Sequence, residues 1–596
     1  MDREIRKKPV DFDEAISVTT SRELGSKELP LGDRVFRTAL YSVVLVIIIV
    51  SGRMIFLGTK YSHYSSIAAD NMNQEFGSLA ARGPILDKHG KELVVNEPSF
   101  NVRLEIPTMI KNGEANRVFE AVYDVFGISK EQMLETIART DLEYSPDVVL
   151  KRDIKIKQAI DVRSLGLESL YIEDGYKRKY ASESLSHVVG FVGWNDNDNS
   201  LKGRAGLEAY YDDLLRGKDG KKVIYKDALG NIQGMEVTNE PERGGELKTT
   251  LDYEFQEYFY DRLSQGLQSL GRTSGVGIAL NPQNGEVLTL VSLPSFDSNK
   301  VADSLVSPNR PFFNRAVGGA YNPGSTIKPV HATAVLKENI VSPDYQIFSK
   351  GYIEIPNPYF PENPSRFVDW RPHGWVDIHS ALARSSNVYF YETVGGFVEL
   401  KGLGIERLKS YWEKFGFGKL TGIDLPGEIP GFLPDPEEKE ERTGDIWRVG
   451  DTYNVSIGQG DLLMNPLQLL DAVSAIANGG KVYKPHLKEN DPELLFDISE
   501  LEPEFKEVRR GMEDAVSKPY GTAYSILDLP FKVAAKTGSA QTSNNTKTNA
   551  LFVGYGPVGN PEIIVLVLIE DAREGSLNAI PVAEDVLRWY YENRLK

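Results

Sequence analysis

At 596 residues the chain is too long for one ordinary domain, and with 41% hydrophobic and 26% charged residues it can bury a core in two or three folded units. A formal net charge of −17 argues against nucleic acid as a main partner. The absence of cysteine excludes disulfides, thiol nucleophiles and thiolate metal sites, and it suits an exported protein that avoids stray thiol oxidation.

Residues 1–33 hold six Lys/Arg and eight Asp/Glu with little apolar periodicity, and read as a mobile cytoplasmic tail. The uncharged run Thr38–Gly52 is only 15 residues long, short of the roughly 20 a spanning helix needs. Extended to Val35–Leu57 it reaches 23 residues, with Arg37 and Arg53 able to snorkel to opposite interfaces. A buried core helix or a cleaved signal peptide are the other readings. The long leader of mixed charge and the lack of a clear A-x-A site favour an uncleaved anchor over 34–57, with Arg34 and Arg37 as its cytoplasmic flank.

From 58 to 246 the pattern is mixed. ARGPILDKHGKELVVNEPSFNVRLEI alternates like strands joined by a turn at His89-Gly90, whereas EANRVFEAVYDVFG and KEQMLETIART have helical spacing. No acid, base or nucleophile cluster stands out, so the region reads as a platform. Gly244-Gly245 interrupts the chain, and 247–596 reads as a second domain. There DYEFQEYFYDRLSQGLQSL is helical, and SGVGIALNPQNGEVLTLVSLP is a hairpin with an Asn-Gly turn. A long helix-rich stretch follows. FKVAAKTGSA, NALFVGYGP and PEIIVLVLIED then read as three strands, and IPVAEDVLRWYYENRLK as a closing helix. Strands first and last with helices between them give an α+β layout.

The chemistry centres on YNPGSTIKP. Pro323-Gly324 marks a turn and STIKPVHATAVLKEN a helix, which Pro329 tolerates in its first turn. Ser325 and Lys328 would share one helix face, so the amine could take the hydroxyl proton, with the helix N-terminus favouring the alkoxide. Alone this pair is weak, since chance supplies about one to three such matches in a chain this long. Ser385-Ser386-Asn387 lies between two helical segments, where a capping role for Ser385 is the simplest alternative. Lys536-Thr537-Gly538 ends an apolar strand. Taken in order, SxxK, SxN and KTG form a set known from penicillin-binding proteins and class A β-lactamases.

On these motifs the chain closely resembles the class B penicillin-binding proteins, membrane-anchored peptidoglycan D,D-transpeptidases. The resemblance runs from Arg82 to the C-terminus, through ARGPILDKHGKELVVN, HVVGFVG, KGRAGLEAYYDDLLRG, ALNPQNGEVLTLVSLPSFDSN, NRAVGGAYNPGSTIKP, VSIGQGDLLMNPLQLLDAVSAIANGG and AAKTGSA. PDVVLKRDIKIKQAIDV with LYIEDGYKRKY most resembles the elongation branch, penicillin-binding protein 2, with the division-specific penicillin-binding protein 3 as the near alternative.

The resemblance implies a transmembrane helix, an extended platform of the pedestal or dimerisation type, and a transpeptidase domain with an antiparallel sheet flanked by helices. It makes Ser325 the nucleophile, Lys328 its base, Ser385 a proton relay and Asn387 an orienting group. Lys536 and Thr537 would hold the terminal carboxylate and Lys536 would help keep Lys328 neutral. Gly538 would admit an extended peptide, and the N–H groups of Ser325 and Ser539 would form the oxyanion hole. Implied partners are peptidoglycan stem peptides, β-lactams, the membrane and a polytopic glycosyltransferase of the RodA-like SEDS family. A D,D-carboxypeptidase or β-lactamase, and a β-lactam sensor or scaffold, are the competing classes. Some relatives carry a zinc site of Asp, His and Cys beside the SxN serine. Asp369 and His373 stand at similar places, but the Cys position is Ser386, so no metal and no cofactor is expected, and the two read as hydrogen-bonding near the active-site rim. Asn465 also departs from the family, which often has Thr before Pro-Leu-Gln.

Overall fold

The computed structural model describes residues 32–60, 73–139, 147–195, 200–226, 232–357, 360–542, 547–572 and 575–596. The chain divides into two compact units, Met1–Phe76 with Lys222–Glu236, and Gly77–Lys221 with Val237–Lys596. Within the first, helix α1 (Asp33–Thr59) is 27 residues long with no buried residue, and is long and apolar enough to cross a membrane. It starts before and ends after the expected span; all but the end of the predicted tail lies outside the described residues.

In the second unit the platform is built on β1 (Ile85–Leu86) and the long β2 (Glu92–Glu105), joined by a turn that the Asp87 carboxylate holds by accepting from His89 and Lys91 N–H. Helices α2 (Ala115–Phe126) and α3 (Lys130–Arg139) follow where the helical spacing placed them, then β3 (Asp147–Ile154) and β4 (Leu170–Tyr180). β2 pairs antiparallel with β1, β3 and β4. The short β5 (Leu247–Lys248) adds in parallel to β1. Glu208 accepts from Arg82 Nε (2.5 Å) and Arg178 Nε (2.7 Å) in a cluster whose three side chains are sealed from water, and the partly exposed Asp212 meets Arg82 at 2.7 Å.

The catalytic region opens with α4 (Tyr253–Leu270), capped by the Asp252 side chain at its start and by Gly271 in the left-handed conformation at its end. Strands β6 (Gly275–Leu280) and β7 (Val287–Leu293) form the Asn-Gly hairpin. Then come α5 (Lys328–Lys337) and four short strands, β8 (Ile347–Ser349), β9 (Tyr352–Ile355), β10 (Ser365–Val368) and β11 (Gly374–Val376). β8 pairs with β11 and β9 with β10, so the two ladders nest into one arm inside the stretch expected to be helix-rich. Strands of three or four residues are too short to print a period-2 pattern. Helices α6 (Ile378–Arg384), α7 (Pro466–Asn478) and α8 (Glu502–Ser517) precede β12 (Ala534–Thr542), β13 (Lys547–Gly556) and β14 (Ile563–Ile569), and α9 (Ile580–Tyr590) closes the fold.

The central sheet runs β7-β6-β14-β13-β12. β14 reads IIVLVLI without alternation because both of its faces are covered. Ile564, Leu566 and Leu568 point into the core that holds α5 and α7, and Ile563, Val565, Val567 and Ile569 into the core that holds α4 and α9. The first core also takes in Ile85, Val94 and Leu207 of the platform, so the platform base and the catalytic region share one apolar interior. β12, with the KTG triplet, is left at an edge.

Candidate active site

Ser325 lies on a 3₁₀ turn, Gly324–Ile327, that leads into α5, and not in the α-helix itself as the spacing suggested. In that geometry residues i and i+3 eclipse, so Ser325 and Lys328 still share a face. The turn is pressed onto edge strand β12. A side chain on Gly538 would put its Cβ 2.8 Å from Thr326 Cγ2 and 3.2 Å from Pro323 O, and one on Gly324, at φ +52°, would sit 2.7 Å from Ser539 O. Only glycine at both positions lets the nucleophile turn approach the strand this closely.

The two lysines meet at one residue. Lys328 Nζ donates to Ser385 O (3.0 Å), Ser386 O (3.3 Å) and Asn387 Oδ1 (2.8 Å), and Lys536 Nζ donates to Ser385 Oγ (2.9 Å) and Thr537 O (2.9 Å). Both lysines have 0% of their surface exposed. Burial pulls the Lys328 amine down to about 7, against the charge of Asp369, which pulls it up. Burial, and then the neighbouring Lys328 charge, push Lys536 well below the usual lysine range. Of the two causes expected to make Lys328 a weak enough cation to serve as a base, burial and a second cation at Lys536, burial is the one that lowers it here. Thr537 Oγ1 donates to Thr522 Oγ1 at 2.7 Å, a partner no motif announced.

Ser385 takes φ +57° at the C-terminal cap of α6, a strained setting for a side-chain-bearing residue. The cap of the following short helix is Ser386, whose hydroxyl accepts from Tyr389 N–H, so the capping role expected of Ser385 at that helix belongs to its neighbour. The segment is held by Asp369, whose Oδ2 accepts from Ser386 Oγ (2.8 Å), Asn387 N–H (2.8 Å) and Val388 N–H (3.0 Å). Burial alone would raise the Asp369 carboxyl. His373, the Lys328 charge and the N–H donors outweigh it and hold the group down at about 2. His373 Nε2 stands 3.4 Å from Asp369 Oδ1 with both side chains sealed from solvent. Ser386, in the place of a thiolate, thus hydrogen-bonds the same carboxylate, and among the described residues no group of three or more His, Cys, Asp or Glu could hold a metal.

The cleft side of β12 follows from Gln459. In the amide orientation that satisfies its neighbours, it donates to Gln541 O (3.3 Å) and accepts from Gln541 N–H (3.0 Å). In an antiparallel edge strand alternate residues turn their backbone groups the same way, so those of Ser539 and Thr537 also face away from β13. Asn465 caps α7, accepting from Leu467 N–H, with Gln468 completing a capping box. An Asn serves this purpose at least as well as Thr.

Comparison with known proteins accords with this geometry. The family described as "Penicillin binding protein transpeptidase domain" matches residues 275–588, and "Penicillin-binding Protein dimerisation domain" matches 78–249. The chain is 32% identical over 572 residues to "Peptidoglycan D,D-transpeptidase MrdA" of Haemophilus influenzae, covering 86% of this chain and 84% of the relative. It superposes with a TM-score of 0.75 and 25% identity on Penicillin-Binding Protein (PBP2) in complex with MreC from Helicobacter pylori, covering 88% of this chain and all of that one. A chain from the structure described as "Structural coordination of polymerization and crosslinking by a peptidoglycan synthase complex" matches with a TM-score of 0.66 and 25% identity, over 94% and 99% of the two chains. With both domain families matched in order and the SxxK, SxN and KTG residues gathered around Ser385, the chain belongs to the class B penicillin-binding proteins and is most like penicillin-binding protein 2.

Proposed function

We propose that the chain is a serine D,D-transpeptidase that cross-links peptidoglycan stem peptides during cell elongation, through an acyl-enzyme on Ser325. The observation that carries this reading is the meeting of two fully buried lysine amines at Ser385. Neutral Lys328 accepts the Ser325 proton as Oγ attacks the carbonyl carbon of the penultimate D-Ala. The N–H groups of Ser325 and Ser539 receive the oxyanion, each removing roughly 3 kcal/mol of barrier in comparable sites. As the C–N bond breaks, the proton passes by way of Ser385 to the departing amine of the terminal D-Ala. An amine of a second stem peptide then attacks the ester and frees Ser325.

Lys536 is too deeply buried for open contact, so it acts on the terminal carboxylate through its charge, and the buried Thr537 hydroxyl must exchange its bond to Thr522 for one to the carboxylate. A carboxylate arriving there favours a proton on Lys536, and that charge in turn disfavours one on Lys328. Substrate binding thus frees the base. Asn387, already bonded to Lys328, orients the amine and the substrate amide.

The proposed organisation is a tail over 1–33, an anchor over 34–57, a platform over 58–246 and a transpeptidase domain over 247–596. The anchor makes a single pass of the cytoplasmic membrane, with the catalytic domain outside. Anchor and platform pair with a polytopic RodA-like SEDS glycosyltransferase, a reading supported by the polymerisation and cross-linking named for the synthase complex that this chain resembles. A fluorescent penicillin labels the full-length protein covalently and persistently, and Ser325→Ala abolishes the label. Full labelling of that variant sinks the nucleophile assignment, and rapid hydrolysis of the wild-type adduct favours a β-lactamase.

A further inference from the structure

The arm β8–β11 takes no part in the acyl-transfer steps, yet its surface is built for contact. Of the six tryptophans in the chain, the two exposed ones, Trp370 (55%) and Trp375 (63%), both lie on it. Phe348, 55% exposed, stands directly across the ladder from Trp375, so the two side chains project from the same face, with ring centroids 5.3 Å apart. Exposed aromatic clusters of this kind mark binding surfaces. Cations lie against the neighbouring rings: Arg371 is 4.3 Å from the Trp370 ring centroid, and Lys350 and Arg366 are 4.4 and 3.6 Å from that of Tyr352.

The arm is continuous with the catalytic site. Asp369, between β10 and β11, holds Ser386, Asn387 and Val388, and Trp370 Nε1 donates to the carbonyl of Arg384, the residue before Ser385. Arg384 in turn donates to His373 O at 2.8 Å. Trp370 therefore flanks the cleft on the Ser385 side, and Phe348 and Trp375 project from the solvent face of their ladder, opposite to Ser349, whose hydroxyl meets Asp369.

We infer that this face binds the saccharide backbone of the polymer whose peptides are cross-linked, an inference that rests on the function proposed above. Pyranose rings present flat C–H faces with hydroxyls at their rim, and rigid aromatic side chains cover such faces at small entropic cost. The carboxylates of adjoining stem peptides would meet Lys350, Arg366 and Arg371, in a chain whose overall charge of −17 would otherwise repel them. Holding the strand here raises the local concentration of donor peptides at Ser325 without touching the reacting bond.

The test uses full-length protein in detergent and glycan strands stripped of their peptides, with binding followed by calorimetry. Wild type binds saturably. Phe348→Ala and Trp375→Ala weaken binding by about tenfold or more, the loss typical of an aromatic anchor, and Trp375→Phe retains most of it. All three variants are acylated by fluorescent penicillin at the wild-type rate. The inference is overturned if wild type does not bind peptide-free glycan, if the alanine variants bind it equally well, or if they lose acylation in parallel, which would make the arm a structural support. Failure of wild type itself to be acylated would count against the transpeptidase reading instead, and the two failures are read by separate assays.

Discussion

Lys328 is three residues from Ser325, yet its amine is bonded to Ser385, Ser386 and Asn387, groups that lie far away in the chain. Its proton affinity is thus set by burial that no spacing argument contains. With the amine down at about 7, a base that must be neutral loses activity as pH falls. The rate of penicillin acylation should rise about tenfold per unit below pH 7 and level off above it. A flat profile from pH 5.5 to 9 would exclude Lys328 as the base. Lys328→Arg, which stays charged, should slow acylation by about 10²–10⁴-fold. Asp369 was legible as a residue hydrogen-bonded near the active-site rim but not as the brace of the SxN turn, because three of its partners are backbone N–H groups, which any sequence offers. Asp369→Ala leaves Ser386 Oγ and the N–H groups of Asn387 and Val388 without an acceptor, so we expect it to cost about 3 kcal/mol in denaturant unfolding. Acylation should slow at least tenfold.

Among the elements, those with long or uninterrupted patterns were readable from the chain: α4, the β6–β7 hairpin, the three closing strands and α9 all lie where periodicity and turn residues put them. The arm was missed because each of its strands is three or four residues long and finds its partner across a long loop. The 3₁₀ turn carrying Ser325 was read as the helix it adjoins, since nothing in GSTI distinguishes an i+3 from an i+4 hydrogen bond. Gly538 links that turn to β12 by close approach. Gly538→Ala should push the strand from Thr326, whose hydroxyl is already committed to Pro323 O. A displacement near 1 Å at the nucleophile corresponds to about 10²-fold in rate. Labelling kinetics by fluorescent penicillin would show it, and an unchanged rate would mean that the turn can yield.

At the scale of the molecule, the platform base and the catalytic sheet share one core, and the sealed Arg82–Glu208–Arg178 cluster ties the distant segments of the platform together. Glu208→Ala would leave two guanidinium groups buried without their shared acceptor, a loss of roughly 3–5 kcal/mol. Denaturant unfolding should show it, whereas penicillin acylation per folded molecule should stay near wild type, since none of the three residues touches the cleft. Stability equal to wild type would mean that the cluster is not sealed in solution.

The sequence by itself determined the α+β plan, the apolar helix near the N-terminus and the identity of the reacting groups, because periodicity, turn chemistry and side-chain type are properties of the chain. Tertiary structure alone decided that two lysines from separate motifs lose their water at one serine, that Asp369 braces the SxN turn, and that two tryptophans stay outside on a nested arm. Burial and long-range hydrogen bonding arise only when segments distant in the chain, from 17 residues apart for Asp369 and Ser386 to 151 for Lys536 and Ser385, are brought into contact.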